Sequence, residues 1–169
     1  LSLNTSQYVD AKLLDLMASE YAAKMQAAGA LPDGKGGWGD ADRLPIADPA
    51  SLSRRLAGQQ QRLDTLNALP PAALTAENRI NAAVLRTMLE ADLANGHFRT
   101  WEMPLNSDSN FWTYWDASSS LTTAEDYRRY ISRMRDMPRY FDQQTANLRA
   151  GLARGFSVPR VTLQGRAQR

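Results

Sequence analysis

The stretch TTAEDYRRYISRMRDMPRYFDQQTANLRAGLARG, residues 122–155, decides the fold. Apolar side chains recur in it at spacings of three, four and seven residues, which is typical of one face of a long helix. The members of this stripe are Tyr127, Tyr130, Ile131, Met134, Phe141, Thr145, Leu148 and Leu152. The pattern predicts a helix over about residues 123–154 with this stripe along one side.

The two ends of this helix and one interior position carry specific signals. Thr122 and Glu125 have the spacing of a capping box, in which each side chain satisfies a free backbone N–H group. Gly155 is a typical helix stop. Pro138 lacks the N–H group that a helix interior needs, so we expect a kink or a division of the helix there.

Three more helices are predicted upstream. Asp48, followed by a proline, and Thr75 are typical helix starts, because their side-chain oxygens accept from free N–H groups. Gly29 and the pair Pro70-Pro71 are typical helix ends. The predicted spans are about residues 5–28, 49–69 and 75–95.

The upstream helices also have apolar stripes, which we expect to face a core. In the first helix the stripe is Tyr8, Leu13, Leu14, Met17, Tyr21 and Met25, and in the second it is Leu52, Leu56, Leu63 and Leu66. In the third helix it widens to an arc that predicts contact with more than one neighbour: Ile80, Ala83, Val84, Leu85, Met88, Leu89 and Leu93.

Composition agrees with a helical fold. The 169 residues include 46 Leu and Ala but only 7 Val and Ile, and β-branched residues favour strands over helices. We therefore predict an all-α bundle of long antiparallel helices with an irregular aromatic segment at residues 98–116. The segment after Gly155 completes no apolar stripe, so we expect residues 1–169 to be the N-terminal part of a larger helical domain.

The loop LPDGKGGWGDADRLPIADP, residues 31–49, is too long for a simple connection. We expect Trp38 and Ile46 to pin it against an apolar surface. The chain has no run of about 18 apolar residues, so no membrane span is predicted. It also has no cysteine, which excludes disulfides and thiolate ligands.

Charge is distributed unevenly along the chain. Residues 1–121 carry 10 Lys and Arg against 14 Asp and Glu, whereas residues 122–169 carry 10 against 4. The arginines surround the predicted last helix and have acids among them, which favours an acidic face of the same protein as their partner over nucleic acid. We expect no nucleic-acid partner.

Chemistry-bearing residues are few. His97 is the only histidine, so a zinc site made by this chain alone is improbable, and we assign no metal ligand and no catalytic residue. The segment MPLNSDSNFWTYW, residues 103–115, mixes amides, hydroxyls and a carboxylate with aromatic rings. It would suit a cleft for a sugar or a peptide, with substrate-binding candidates Asn106, Asp108, Asn110 and Trp112. The other interpretation is that its rings anchor an irregular segment in the core.

Two strings together indicate a family. WEMPLNSDSNFW and, further on, TAEDYRRYISRMRDMPRYFDQQTANLRAGLARGFSVPRVTL resemble the N-terminal part of the large bacterial domain-of-unknown-function family numbered 885. The match covers about residues 78–163 well and the first 75 residues loosely. An ordered string of this length is more specific than one short motif.

The resemblance implies a larger enzyme. Members of that family look like helical zinc metallopeptidases of the gluzincin kind, with an H-E-x-x-H motif far downstream that this chain lacks. The resemblance thus implies zinc for the full-length protein and none in this chain. It implies the C-terminal catalytic part as partner and a peptide as substrate, with the segment around Asn106 and Trp112 near the junction of the two parts.

The sequence allows more than one cellular location and more than one function for this chain. The resemblance is compatible with a periplasmic or exported bacterial protein as well as with a cytoplasmic one. The alternative function is a stand-alone helical binding module whose aromatic segment forms a ligand pocket.

Overall fold

A computed structural model describes residues 4–29, 41–105 and 121–164. Within these ranges the chain is all-α, as predicted, and contains no strand. Each helix begins within one residue of its predicted start and ends within three residues of its predicted end. The helices are α1 Thr5–Ala27, α2 Pro49–Asn67, α3 Ala76–Phe98 and α4 Ala124–Ala153. None of the helices in the described ranges is long and apolar enough to cross a membrane.

The chain divides into two compact units. Unit 1 comprises Leu1–Met25 and Leu52–Phe98, and thus most of α1 and α2 with all of α3. Unit 2 comprises Gln26–Ser51 and Arg99–Arg169, and its main element is α4.

Unit 1 is a three-helix arrangement in which α2 runs antiparallel to α3, and α1 runs parallel to α3. Asp10, near the start of α1, accepts from the backbone N–H of Thr75 at 3.2 Å, and Lys24, near its end, pairs with Asp92 at 3.0 Å. The Nε2 of Gln59 in α2 donates to the same Asp92 at 2.9 Å. Consecutive helices of unit 1 are therefore antiparallel.

The core of unit 1 uses only part of the faces predicted for α1 and α3. In α1 the buried positions are Val9, Leu13, Leu16, Glu20 and Met25. In α3 they are Ala82, Leu85, Leu89 and Gly96. Seven residues of the predicted stripes are exposed instead, and the prediction was wrong for them: Tyr8, Leu14, Tyr21, Ile80, Ala83, Val84 and Met88.

The predicted wide arc of α3 is therefore only half covered. Its covered half packs into the leucine core, and the other half is open to solvent. Gly96 allows close packing near the end of α3, because a Cβ atom there would lie 2.7 Å from Cδ1 of Leu56.

The start of α4 is capped one residue later than predicted. The capping box joins Thr123 and Asp126, rather than Thr122 and Glu125: the N–H of Asp126 donates to Thr123 Oγ1 at 3.2 Å, and the N–H of Thr123 donates to Asp126 Oδ2 at 2.7 Å. The backbone N–H of Thr122 donates to the same carboxylate at 3.1 Å. The Asp126 carboxylate thus accepts from the N–H groups of both Thr122 and Thr123, and these two hydrogen bonds favour the pairing of Thr123 with Asp126.

The interior proline does not divide α4, which is one helix from Ala124 to Ala153. Asp136 and Arg139 lie on either side of Pro138, and the Nε of Arg139 donates to Asp136 Oδ1 at 2.6 Å. Both side chains also hold the backbone of Leu44. These contacts tie the residues on either side of the proline to each other and to Leu44.

The end of α4 is a Schellman motif at the predicted glycine. Gly155 has φ +76°, its N–H donates to Leu152 O at 3.1 Å, and the N–H of Phe156 donates to Gly151 O at 2.8 Å. A left-handed residue at this position reverses the chain, so residues 156–163 return alongside the last turns of α4.

Candidate functional site

The buried face of α4 is polar, whereas we expected the apolar stripe to be buried. Its buried residues are Gln144, Asn147 and Gly151. Three of the eight residues of the predicted stripe, Tyr130, Thr145 and Leu148, are half-buried, and the other five are exposed. Besides Leu152, the exposed residues are Tyr127, Ile131, Met134 and Phe141, which are 53%, 44%, 46% and 39% exposed. We call these four residues the α4 stripe.

The polar face is buried because it holds an extended segment, residues 44–47. Asp136 Oδ2 accepts from the N–H of Leu44 at 2.8 Å, and Gln143 Oε1 accepts from the N–H of Ala47 at 2.9 Å. Asn147 Nδ2 donates to Ala47 O at 2.8 Å. These α4 side chains supply the backbone partners that a strand would otherwise provide, as buried peptide groups require.

Arg139 also binds this segment. We call the side chains that hold residues 44–47 the α4 clamp: Asp136, Arg139, Gln143 and Asn147. Its Nη2 donates to Leu44 O at 2.9 Å, and its Nη1 donates to Gln143 Oε1 at 2.7 Å. The loop was predicted to be pinned by Trp38 and Ile46. Trp38 lies outside the described residues, and Ile46 is half-buried. Hydrogen bonds from α4 side chains to the loop backbone hold residues 44–47 in place.

Acid should loosen the clamp. The Arg139 guanidinium beside Asp136 holds the pKa of that carboxyl below its usual range, and the hydrogen bond from the N–H of Leu44 adds to the effect. Because the folded pKa is the lower one, this contribution is complete above the unfolded pKa of about 3.9 and is lost as pH falls through the folded value. Asp136→Asn should therefore cost about 1–2 kcal/mol at pH 7 and flatten the loss of stability in acid.

The measurement is urea unfolding at a series of pH values from neutral to strongly acidic. The matched control is Asp142→Asn, which changes an exposed acid on the same helix. An Asp136→Asn variant that loses stability in acid as steeply as the unchanged chain would contradict this assignment.

The buried carboxylate of Glu102 connects the end of α4 to the short 3-10 turn Thr100–Glu102. The Glu102 carboxylate is bound by Arg154 and lies 3.7 Å from the guanidinium of Arg99. Arg154 also lies over the ring of Phe156, 4.3 Å from its centroid. Gly151 permits this approach, since a Cβ atom there would lie 2.5 Å from Glu102 O.

These contacts build an apolar pocket of about 230 Å³ in unit 2. Three walls meet in it: the 102–105 segment, the last turns of α4 and the returning chain after Gly155. The lining residues are Glu102, Met103, Leu105, Thr145, Leu148, Arg149, Leu152, Phe156, Ser157, Val158 and Leu163. Leu152 and Leu163 are exposed although they line it, so the pocket opens to solvent beside them.

Unit 1 contains a buried carboxylate with basic neighbours. Glu20 is 3% exposed and lies 3.5 Å from Nζ of Lys24 and 3.3 Å from Nη1 of Arg62. Since Lys24 also pairs with Asp92, the cluster links all three helices. The two cations offset the buried charge of Glu20, as a buried carboxylate requires.

The described part of the chain offers no metal centre. It contains no group of three or more His, Asp or Glu side chains that could hold an ion. His97 lies in the last turn of α3, is exposed, and packs edge-on against the Phe98 ring at 5.3 Å. The donor set therefore does not fit the zinc that the resemblance implies for the full-length protein.

The predicted substrate-binding residues Asn106, Asp108, Asn110 and Trp112 lie outside the described residues. That assignment stays a prediction. The pocket and the α4 clamp were not predicted. The sequence signal available for the clamp was the string of Asp136, Gln143 and Asn147, at spacings of seven and four residues, which mark a second face of the helix.

The arginines of α4 are used largely within unit 2. Arg139 pairs with Asp136, Arg154 pairs with Glu102, and Arg128 pairs with Glu125 at 3.0 Å. The acidic face of the same protein as partner of the basic helix stays a prediction. The absence of a nucleic-acid partner stays a prediction.

A comparison with protein families matched residues 27–169 to a model described as a bacterial protein of unknown function, DUF885. No curated protein and no solved structure matched. The match covers α2, α3 and α4 and therefore reaches both units.

Proposed function

We propose, from the premise that this chain belongs to the bacterial DUF885 family, that it is a non-catalytic helical part of a zinc-dependent peptidase and packs on a separate catalytic part. The observation that carries the proposal is the exposure of the α4 stripe. A helix that buries polar side chains and exposes aromatic and aliphatic ones is made to receive a second apolar surface.

Unit 1 supports the same interpretation. Ile80, Val84 and Met88 follow one another at one helical turn on α3, and they are 67%, 54% and 45% exposed. Each unit, taken by itself, thus leaves an apolar stripe uncovered. Contiguous exposed apolar patches mark interaction sites.

The chemistry belongs to the other part in this proposal. The chain contributes walls and positioning, and the residues around Asn106 and Trp112 would contact a peptide substrate near the junction. The zinc would be held by residues beyond those described, since the described donors do not fit it. When bound, zinc activates water for hydrolysis of a peptide bond.

The test compares the 169-residue chain with the product of the complete reading frame that encodes it. The longer product should bind one equivalent of zinc and hydrolyse peptides, whereas the 169-residue chain should do neither. Ile131→Asp with Met134→Asp should reduce the activity of the longer product at least tenfold, because two charges would enter an apolar interface. Ser132→Asp is the matched control, since it adds a charge at an exposed position between the same two residues.

Tightly held zinc in the 169-residue chain would contradict the division of labour. Full activity of the Ile131→Asp, Met134→Asp product would contradict the role of the α4 stripe.

A second candidate is a stand-alone binding module, and the apolar pocket of unit 2 is the observation that favours it. A complete module should unfold cooperatively and bind little hydrophobic dye, whereas a part with uncovered interfaces should bind dye strongly or self-associate.

A further inference from the structure

The pocket at the end of α4 is a built feature of unit 2. Its walls are fixed by the Schellman reversal at Gly155, by the ion pair of Glu102 with Arg154, and by the close approach at Gly151. These contacts hold three chain segments around one open volume. A volume held in this way exists before any ligand arrives, which lowers the cost of binding.

Its size suits a small apolar group. The volume is about 230 Å³. An apolar cavity of about 150 Å³ in another protein takes up benzene, so this pocket accommodates a group of about six to eight carbon atoms. The side chains around it are mainly aliphatic and aromatic, including Met103, Leu148, Val158 and Leu163.

The arginines near the pocket indicate the polar group that a ligand would carry beside its apolar body. Two arginines lie by the pocket, and Glu102 neutralises one of them, Arg154. The second, Arg149, is one of the lining residues and is exposed; it forms no ion pair with an acid in the described ranges. A guanidinium beside an apolar site binds a carboxylate with two parallel hydrogen bonds.

We propose that this pocket binds a compact monocarboxylate, with the apolar body among Leu148, Val158 and Leu163 and the carboxylate on Arg149. Two sources share this chemistry: a free aliphatic or aromatic acid, and the C-terminal residue of a peptide with an apolar side chain. The inference does not depend on the peptidase proposal, because it uses only residues of unit 2.

The test is calorimetric titration of the 169-residue chain with octanoate and with N-acetyl-phenylalanine, each beside its neutral amide. Both acids have a body that fits, and the amides remove only the charge. The acid that binds more tightly should exceed the affinity of its own amide at least about tenfold, because the amide lacks the charged hydrogen bond to Arg149. Octanoate as the tighter acid indicates a free acid, and N-acetyl-phenylalanine indicates a peptide terminus.

Two variants locate the site. Arg149→Gln should weaken binding of the acid about tenfold and leave the amide unchanged. Leu163→Asp, at a partly exposed wall position, should abolish binding of both. The matched control is Arg135→Gln, an exposed arginine elsewhere on α4, which should change nothing.

Equal affinity for acid and amide would overturn the proposal, as would an Arg149→Gln variant that binds the acid normally. Absence of binding by either acid to the folded chain would overturn it as well.

Discussion

Replacing Leu89 by alanine is expected to lower the free energy of unfolding of unit 1 by about 3 kcal/mol. Leu89 is fully buried and lies in the middle of α3, within a cluster that includes Leu13, Leu66 and Leu85. Removing its side chain loses the transfer free energy of three carbon atoms and leaves a cavity between the three helices. Urea unfolding followed by circular dichroism measures the change.

The matched control is Val84→Ala on the opposite side of α3. Val84 is exposed, so its truncation should change stability by less than about 0.5 kcal/mol. The pair of variants also establishes which face of α3 is the core. Equal costs for the two substitutions would contradict the orientation of this helix.

Replacing Gly151 by alanine is expected to destabilise unit 2 by about 2 kcal/mol. A Cβ atom there would lie 2.5 Å from Glu102 O and 2.8 Å from Phe156 O. Because both obstacles are backbone atoms, α4 and its neighbours must shift, at a cost of about 3 kcal/mol. Higher helix propensity returns about 1 kcal/mol, so the steric cost prevails.

Gly58→Ala is the control for this prediction. Gly58 also lies within a helix, but the nearest atom to an added Cβ is a side-chain atom, Nη1 of Arg62 at 3.2 Å, and no backbone atom lies near it. That variant should keep or slightly raise the thermal midpoint. A Gly151→Ala variant that is as stable as the unchanged chain would show that Glu102 does not pack against α4 as described.

The helices were predictable because their starts and ends depend on neighbours in the sequence. Asp48 illustrates this: its carboxylate accepts from the N–H of Ser51 at 2.9 Å, a contact that the local sequence alone predicts. Gly29 and Gly155 both have positive φ, as expected of glycines that end helices.

The faces of the helices were less predictable, because burial depends on partners distant in the sequence. In α1, Glu20 occupies a core position that an apolar pattern excludes, and it is buried through Lys24 and Arg62. In α4, Asn147 is 2% exposed because it binds the backbone at Ala47, one hundred residues earlier. Apolar periodicity locates an apolar surface, but it does not say which surface the described units bury.

The candidate sites were also hard to predict, because they depend on residues that are distant in the sequence. The pocket depends on Gly151 and Gly155, which bring three segments together, and no spacing in the sequence reveals such a meeting. The assignment of Asn106 and Trp112 came from local composition and lies outside the residues that the structure describes.

The most direct measurement of the central claim is the rate of peroxide oxidation of Met134, read by mass spectrometry. Met134 lies in the middle of the α4 stripe and is 46% exposed, so it should oxidise readily in the 169-residue chain. In the product of the complete reading frame it should oxidise severalfold more slowly, while Met25, which is buried, stays slow in both. Equal rates for Met134 in the two products, or a reading frame that adds no further residues, would contradict the proposal that the α4 stripe packs on a catalytic part.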